Sequence, residues 1–432
     1  SHDVFIGDMG LDIDHYYEQG ATDTTIVKPA DNYAHLTESD GDLVLTLHNF
    51  EYSGNGFEFE AGSFAGVFCP TSLTVNLEGS NKFEVTASDK YDYTCGIVAY
   101  SILSGTKELV INGDDEASID IVAKDGLYAQ HNLDINGGTI NINVDECALY
   151  SVEGNVNISG GAVNVPDSLV GIHSNYHVNI TGGDIDITAD YCGIDIQGDM
   201  NVYDGNLVVR SMLAGVDDDT ACAFSLGGVL NIDGGMTVIA SEENTGTPEE
   251  AFDEVNLTEY DYVKVYKAPV PDAYVGGVAM FIGDYLEKDA TITTTEKPTD
   301  NYAHLSESDG NLVLTLHNYE YLGDGHEFVI DNFAGIFSKK SLELDLEGTN
   351  KIESVNTSIF SYGIVVDSFD SNSVEVEILG SETDSIDITA LYGIHIDGDI
   401  TFSGGSVNIK TDDTSISSIC NTEITGGTIN VE

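Results

Sequence analysis

The chain has no tryptophan, seven prolines and only 14 lysine and arginine residues among 432. Arg210 is its single arginine. Against these stand 75 acids, a formal net charge of −61. So few cations exclude nucleic acid as a partner, because phosphate binding needs clustered Lys and Arg. An anionic membrane surface is excluded for the same reason. No apolar run approaches the roughly 18 residues that a membrane-spanning helix requires. The six cysteines form no CxxC pair, which removes the usual zinc framework. The chain opens "SHDVF", without Met or a signal-like apolar stretch, as expected of a processed product.

What is abundant is glycine, 46 residues, with Val, Ile, Asn, Thr and Asp between them. That composition reads as β-rich with many tight turns. The stretch "LDINGGTININ" returns as "VNISGGAVNV", "VNITGGDIDI", "LNIDGGMTVI" and "TEITGGTINV". The Gly-Gly or Asp-Gly marker falls at 137, 160, 182, 204 and 234, in steps of 23, 22, 22 and 30. It returns at 404 and 426, 22 residues apart. A fixed period of this size signals stacked repeats.

The hydrophobic period within each repeat is two. Leu133, Ile135, Ile140 and Ile142 alternate with polar neighbours on both sides of the glycine corner, which marks half-buried strands. A third strand precedes them, as in "CGIDI" and "VGIHS". Three short strands per coil, stacked about 4.8 Å apart, predict an all-β fold, a right-handed parallel β-helix solenoid. Stacking predicts ladders: Asp134 followed by Asn157, Asn179, Asn201 and Asn231 shares one outward register, where amides can bond along the stack.

A longer repeat lies over the first. "DNYAHLTESDGDLVLTLHNFEYSGNGFEFE" from Asp31 matches "DNYAHLSESDGNLVLTLHNYEYLGDGHEFV" from Asp300, at a constant offset of 269. The chain therefore reads as two tandem copies, each with a strand-rich N-terminal segment and a turn at Asp40-Gly41 or Asp309-Gly310. The first module is expected over 1–267, with about seven coils, and the second over 268–432, with about four. The second is expected to stop in mid-coil, so that either the sequence is cut short there, or more chain, another subunit or a second copy docks on its unpaired backbone groups.

"YVGGVAMF", "NLVLTLHNYEY", "AGIFSKKSLELDLEGTNKI" and "YGIHIDGDITFSGGSVNI" resemble modules repeated in surface proteins of gut Clostridia and relatives. The resemblance covers both copies. The coils are also similar to a cellulose- and pectin-binding β-helix family from a cellulolytic Clostridium, whose members bind calcium. Here its aspartate-rich "DGI" coil starts are mostly "CGI", "VGI" or "YGI", so its calcium ligands do not carry over residue by residue.

Several features bear on chemistry. A pectate lyase would need basic residues, and Arg210 stands alone on an outward position. Glycoside hydrolysis needs paired carboxylates, but acids abound; Asp184 and Asp186 read as a solvated face. The row Phe68, Val98, Tyr128, Tyr150, His173, Asp195 and Ser225 places Tyr128, Tyr150 and His173 on consecutive coils. Such a strip can pack against sugar rings, although tyrosine also simply favours strands. Acid loops at Asp114, Asp115 and Glu116, and at Asp217, Asp218 and Asp219, make calcium the one cofactor to consider. Each loop alone reads as solvated surface. Cys95, Cys147, Cys192 and Cys222 share a coil-start register. By parity with Ile97, Leu149, Ile194 and Phe224 they are expected to point inward, as small core fillers. Only Cys192 and Cys222 lie on adjacent coils, in a parallel register that gives poor disulfide torsion.

The expected protein is an extracellular or cell-surface, non-enzymatic structural or adhesive molecule that contacts polysaccharide, a cell-surface partner or itself. A calcium-assisted carbohydrate-binding module is the alternative, and a polysaccharide-cleaving enzyme the third reading.

Overall fold

A computed structural model describes residues 2–432 except 87–88, 90–91, 104, 213–220, 243–259, 309, 356–359 and 370–372. The described chain is all-β, with no helix among the described residues. It divides into two compact units, Ser1–Ala268 and Pro269–Glu432.

Each unit begins with antiparallel pairing. In the first, Tyr33–Ser39 pairs with Asp42–His48 through a turn in which Asp40 and Gly41 both have positive φ, 56° and 94°. Two consecutive positive φ values give the hairpin turn whose twist matches its strands. Asp42–His48 then pairs in parallel with Leu73–Glu78, and parallel order takes over.

Three parallel ladders run through the first unit. One carries Leu73–Glu78, Leu109–Gly113, Leu133–Ile135 and Val156–Ile158 onto the first part of Val178–Ala189 and Met200–Ser211. A second carries Ser80–Val85, Ser118–Ala123, Thr139–Val144 and Ala162–Asp167 onto the later parts of those two long strands. The third carries Ser63–Cys69, Tyr93–Ala99, Asp125–Ala129, Cys147–Ser151, Val170–Ser174, Cys192–Ile196 and Cys222–Leu226. The second unit has two seven-stranded sheets and one five-stranded sheet, again largely parallel.

The alternation in sequence explains the core. Leu133, Val156, Val178 and Met200 are register partners, as are Ile135, Ile158, Ile180 and Val202, and all are buried. The residues between them point out and bond to one another. Asn157 Nδ2 donates to Asp134 at 2.6 Å, Asn179 to Asn157 at 2.8 Å, Asn201 to Asn179 at 2.7 Å and Asn231 to Asn201 at 2.7 Å. Shorter chains of the same kind join Asp120, Asn141 and Asn164, and in the second unit Asp387, Asn408 and Asn430. A further column escaped sequence reasoning. Asn132, Asn155, His177 and Asp199 each accept a hydrogen bond from the backbone N–H of the residue beside them on the next level.

The glycine corners recur because they lie one over another. Gly138, Gly161, Gly183 and Gly205 have φ between 78° and 97°. A Cβ on Gly161 would lie 2.4 Å from the Gly138 carbonyl oxygen. The corner therefore excludes a side chain both by conformation and by the backbone beneath it.

Gly234-Gly235, the fifth copy of the marker, behaves differently. Neither residue has positive φ, and no atom lies within 4 Å of a Cβ built on Gly234. Parallel order ends here. Tyr262–Tyr266 pairs antiparallel with both Met200–Ser211 and Thr237–Ser241 and separates them. It therefore occupies the ladder edge that Thr237–Ser241 would take if parallel pairing continued. Arg210 lies over the Tyr262 ring at 5.6 Å and pairs with Asp186, so the sole arginine serves this local packing.

Gly161→Ala is expected to lower the melting temperature well beyond Gly20→Ala. Gly20 has nearly the same φ, 77°, but nothing within 4 Å of its Cβ. Gly20→Ala should cost only the conformational term, about 1–2 kcal/mol. Chemical denaturation of both variants checks the difference, and equal losses would refute the stacking contribution.

Candidate functional site

The third ladder presents the chemistry foreseen for the aromatic row, with its surroundings changed. Phe68, Val98, Tyr128, Tyr150, His173, Asp195 and Ser225 are consecutive register partners. The row is covered at one end. Strand Phe57–Glu60 folds back antiparallel on Ser63–Cys69, and Phe57 and Phe59 each stack on Phe68 with centroids 5.3 Å apart. Val98 is completely buried there. In the second unit Phe328 covers Phe337 in the same way, at 5.3 Å.

Beyond this cover the rings touch edge to face. Tyr100 and Tyr128 are 5.9 Å apart at 82°, Tyr128 and Tyr150 5.1 Å at 88°, and Tyr150 and His173 4.9 Å at 73°. Such contacts favour the rings' quadrupoles. They also turn alternate rings on edge, so the row is a self-packed column and not a flat platform. It ends on a hydrogen bond between His173 Nδ1 and Asp195 Oδ2, 3.1 Å apart. The bond to His173 holds the Asp195 carboxyl below its ordinary pKa, and both side chains are about one-third exposed or less.

The cysteines contradict the inward reading. Cys95 packs with Ala65, Val98, Tyr93 and Tyr128 in a cluster of its own, apart from the main core. The reason lies in the next residue. A Cβ on Gly96 would meet Ile121 Cγ2 at 2.4 Å, and one on Gly126 would meet Ile142 Cγ2 at 2.6 Å. Ile121 and Ile142 belong to the main core. The glycine takes the inward direction and so does the isoleucine or leucine after it; two-residue parity fails at this corner. Cys95 therefore lies on the outer side. Burial raises its thiol pKa to about 12 and raises that of Cys147 strongly, which leaves both poor nucleophiles.

Asp125 holds the same position before Gly126, one level above Cys95, and was not singled out in the sequence. It is fully buried, accepting hydrogen bonds from the Tyr93 hydroxyl and from the Cys147 backbone N–H at 2.8 Å. Desolvation outweighs these bonds and, with repulsion from Glu146, raises its pKa to about 7. Burial likewise raises Tyr128 and Tyr150. In the second unit the positions before the corner glycine hold Tyr362 and Tyr392, register partners whose rings stack at 4.8 Å and 20°. The available signal was the repeated "YGI", in which a large side chain precedes a glycine that takes the inward direction.

Only the first of the two expected calcium loops lies among the described residues. Asp114, Asp115 and Glu116 are exposed, and Asp114 Oδ1 accepts from the Glu116 backbone N–H at 3.1 Å, closing its own turn. Asp217, Asp218 and Asp219 lie outside the described residues. Among the described residues no group of three His, Cys, Asp or Glu side chains is placed to hold a metal ion. Acids do stack in the second unit. Glu343 and Glu377 are register partners, as are Glu375 and Asp399; all four line a hollow of about 240 Å³. Partial burial and the neighbouring Glu377 and Asp345 raise the Glu343 pKa. Comparison with protein-family models, curated proteins and solved structures gives no match for this chain.

Two predictions follow from these carboxyls. Folded Asp125 keeps its proton to about pH 7, against 3.8 for the ordinary group. The folded state thus binds more protons across that window, and stability falls as pH rises through it. Asp125→Asn should flatten the dependence of melting temperature on pH between these limits; an unchanged slope would exclude Asp125 as its source. Glu343→Gln removes one of two like charges directly opposite on neighbouring strands. It should stabilise the protein by roughly 0.2–1 kcal/mol at neutral pH, and the gain should shrink in acid as wild-type Glu343 protonates.

Proposed function

We propose that the chain is a pair of right-handed parallel β-helix modules serving as a non-enzymatic structural or adhesive protein at the cell surface or outside the cell. The observation that carries this reading is vertical register. Side chains about 22 residues apart in sequence, such as Asn157, Asn179 and Asn201, bond directly along the stack. A repeated coil makes a scaffold whose outer columns present one chemistry over several levels. The formal charge of −61 supports an exposed, self-repelling surface that resists non-specific aggregation.

A second reading, carbohydrate contact, is favoured by one location. Tyr150 abuts His173, which pairs with Asp195. An aromatic ring beside a carboxylate held ionised offers stacking and hydrogen-bond acceptors to sugar hydroxyls. The edge-to-face packing of Tyr128 on Tyr150 restricts such contact to the His173 end of the row.

Glycan arrays probed with the full chain, with and without a calcium chelator, separate the readings. Saturable binding that falls at least tenfold in Tyr150→Ala and Asp195→Asn would establish the second, and sensitivity to chelator would make it calcium-assisted. The scaffold reading expects no such glycan dependence, together with adhesion to surfaces or to itself by light scattering. Release of reducing ends or unsaturated uronates from polysaccharide would overturn both.

A further inference from the structure

Cys192 and Cys222 are direct register partners on adjacent parallel strands. Their sulfurs stand 3.8 Å apart, and both residues are about 1% exposed. They lie on the outer side of the corner by the same reversal that places Cys95 there: a Cβ on Gly193, after Cys192, would meet the core residue Val209 at 2.0 Å. The two strands continue to Asp195 and Ser225, also register partners. Among the described residues Cys222–Leu226 is the last strand of its sheet; besides its pairing with Cys192–Ile196 it is tied by the Ala223 backbone N–H donating to the Tyr260 carbonyl at 2.7 Å, and a terminal strand is the one most prone to fraying.

We propose that Cys192 and Cys222 form a redox-controlled staple, a disulfide that ties the terminal strand to its neighbour. The register sets the Cα atoms one strand spacing apart, about 4.8 Å, inside the range that disulfides use. Parallel register alone was an argument against the bond, but the two side chains already turn their sulfurs toward each other. The sulfurs need only close from hydrogen-bond contact to about 2.05 Å.

The oxidant required is a small disulfide such as oxidised glutathione. Cys222 lies on the terminal strand, so its thiol is the one reached first when that strand opens, and Cys222 attacks first. Its thiolate breaks the glutathione S–S bond, forms a mixed disulfide and releases one glutathione thiolate. The Cys192 sulfur then attacks the Cys222 sulfur of that mixed disulfide, and the second glutathione leaves. Two electrons pass from the protein thiols to glutathione, and both thiol protons end on the two glutathione molecules released. Burial makes the step slow in the folded state and places it in moments when the terminal strand opens or is still folding.

The test equilibrates the full-length protein in glutathione buffers of increasing oxidised fraction, and also refolds it from denaturant in the same buffers. Thiols are then trapped with N-ethylmaleimide under denaturing conditions and counted by intact mass. The chain has six cysteines. The expected result is four labels, a linked peptide containing Cys192 and Cys222, and a melting temperature several degrees above that of the reduced protein. Cys147→Ser should keep the linked peptide. Cys192→Ser should lose it and accumulate glutathione on Cys222, the intermediate that Cys192 would have resolved. Six labels at every ratio, in both the folded and the refolded samples, would overturn the proposal, as would a linked peptide joining either cysteine to Cys147. The wild-type count decides the matter even if a variant fails to fold.

Discussion

Everything in this protein depends on one constraint: a strand must hydrogen-bond in parallel register to its counterpart one repeat away. Parallel pairing evenly spaces the backbone bonds and brings equivalent residues side by side at each level. A residue's closest side-chain neighbour is then its counterpart in the next repeat. Leu133 meets Val156, and Asp134 meets Asn157. Core and surface are both built as columns, and a column tolerates only side chains that fit their own kind above and below.

The chemistry of each column follows from that rule. Asparagine suits an outward column because its amide both donates and accepts, so the chain from Asp134 to Asn231 continues without an unmatched partner between levels. Tyrosines in a column adopt edge-to-face or stacked contacts according to their neighbours, as the Tyr128–Tyr150 and Tyr362–Tyr392 pairs do. Carboxylates fit poorly. Glu343 over Glu377 is strained electrostatically, and the chain's acidity is tolerable mainly where loops and outer positions reach water. Cysteine is small enough for the crowded position before a corner glycine, and where two fall on adjacent levels they meet.

The duplicated N-terminal segments obey the same physics with different pairing. His48 lies between Asp31 and Glu78 at 3.1 and 2.9 Å, and His317 between Asp300 and Glu347 at 3.2 and 2.7 Å. Tyr33 and Tyr302 stack on those imidazoles at 4.9 Å. Recurrence of these histidines in the two copies therefore has a structural cause: each ties a loop and two strands together where antiparallel pairing gives way to parallel.

Much of this was legible in the chain. The 22-residue period, the two-residue alternation and the offset of 269 were enough to expect strands, register and the asparagine ladder, because these depend on regular local geometry repeated in sequence. Three things only the tertiary structure decided. The corner glycine resets side-chain parity, so Cys95 and Asp125 face out where alternation put such residues in. A returning hairpin, which no period encodes, covers Phe68 and helps to bury Val98. An antiparallel strand at Tyr262–Tyr266 ends the second ladder where the fifth glycine marker promised another coil. The physical reason is common to all three. Periodicity reports what a residue shares with its equivalents, whereas burial, pKa and exposure depend on non-repeating neighbours that the fold brings in from elsewhere.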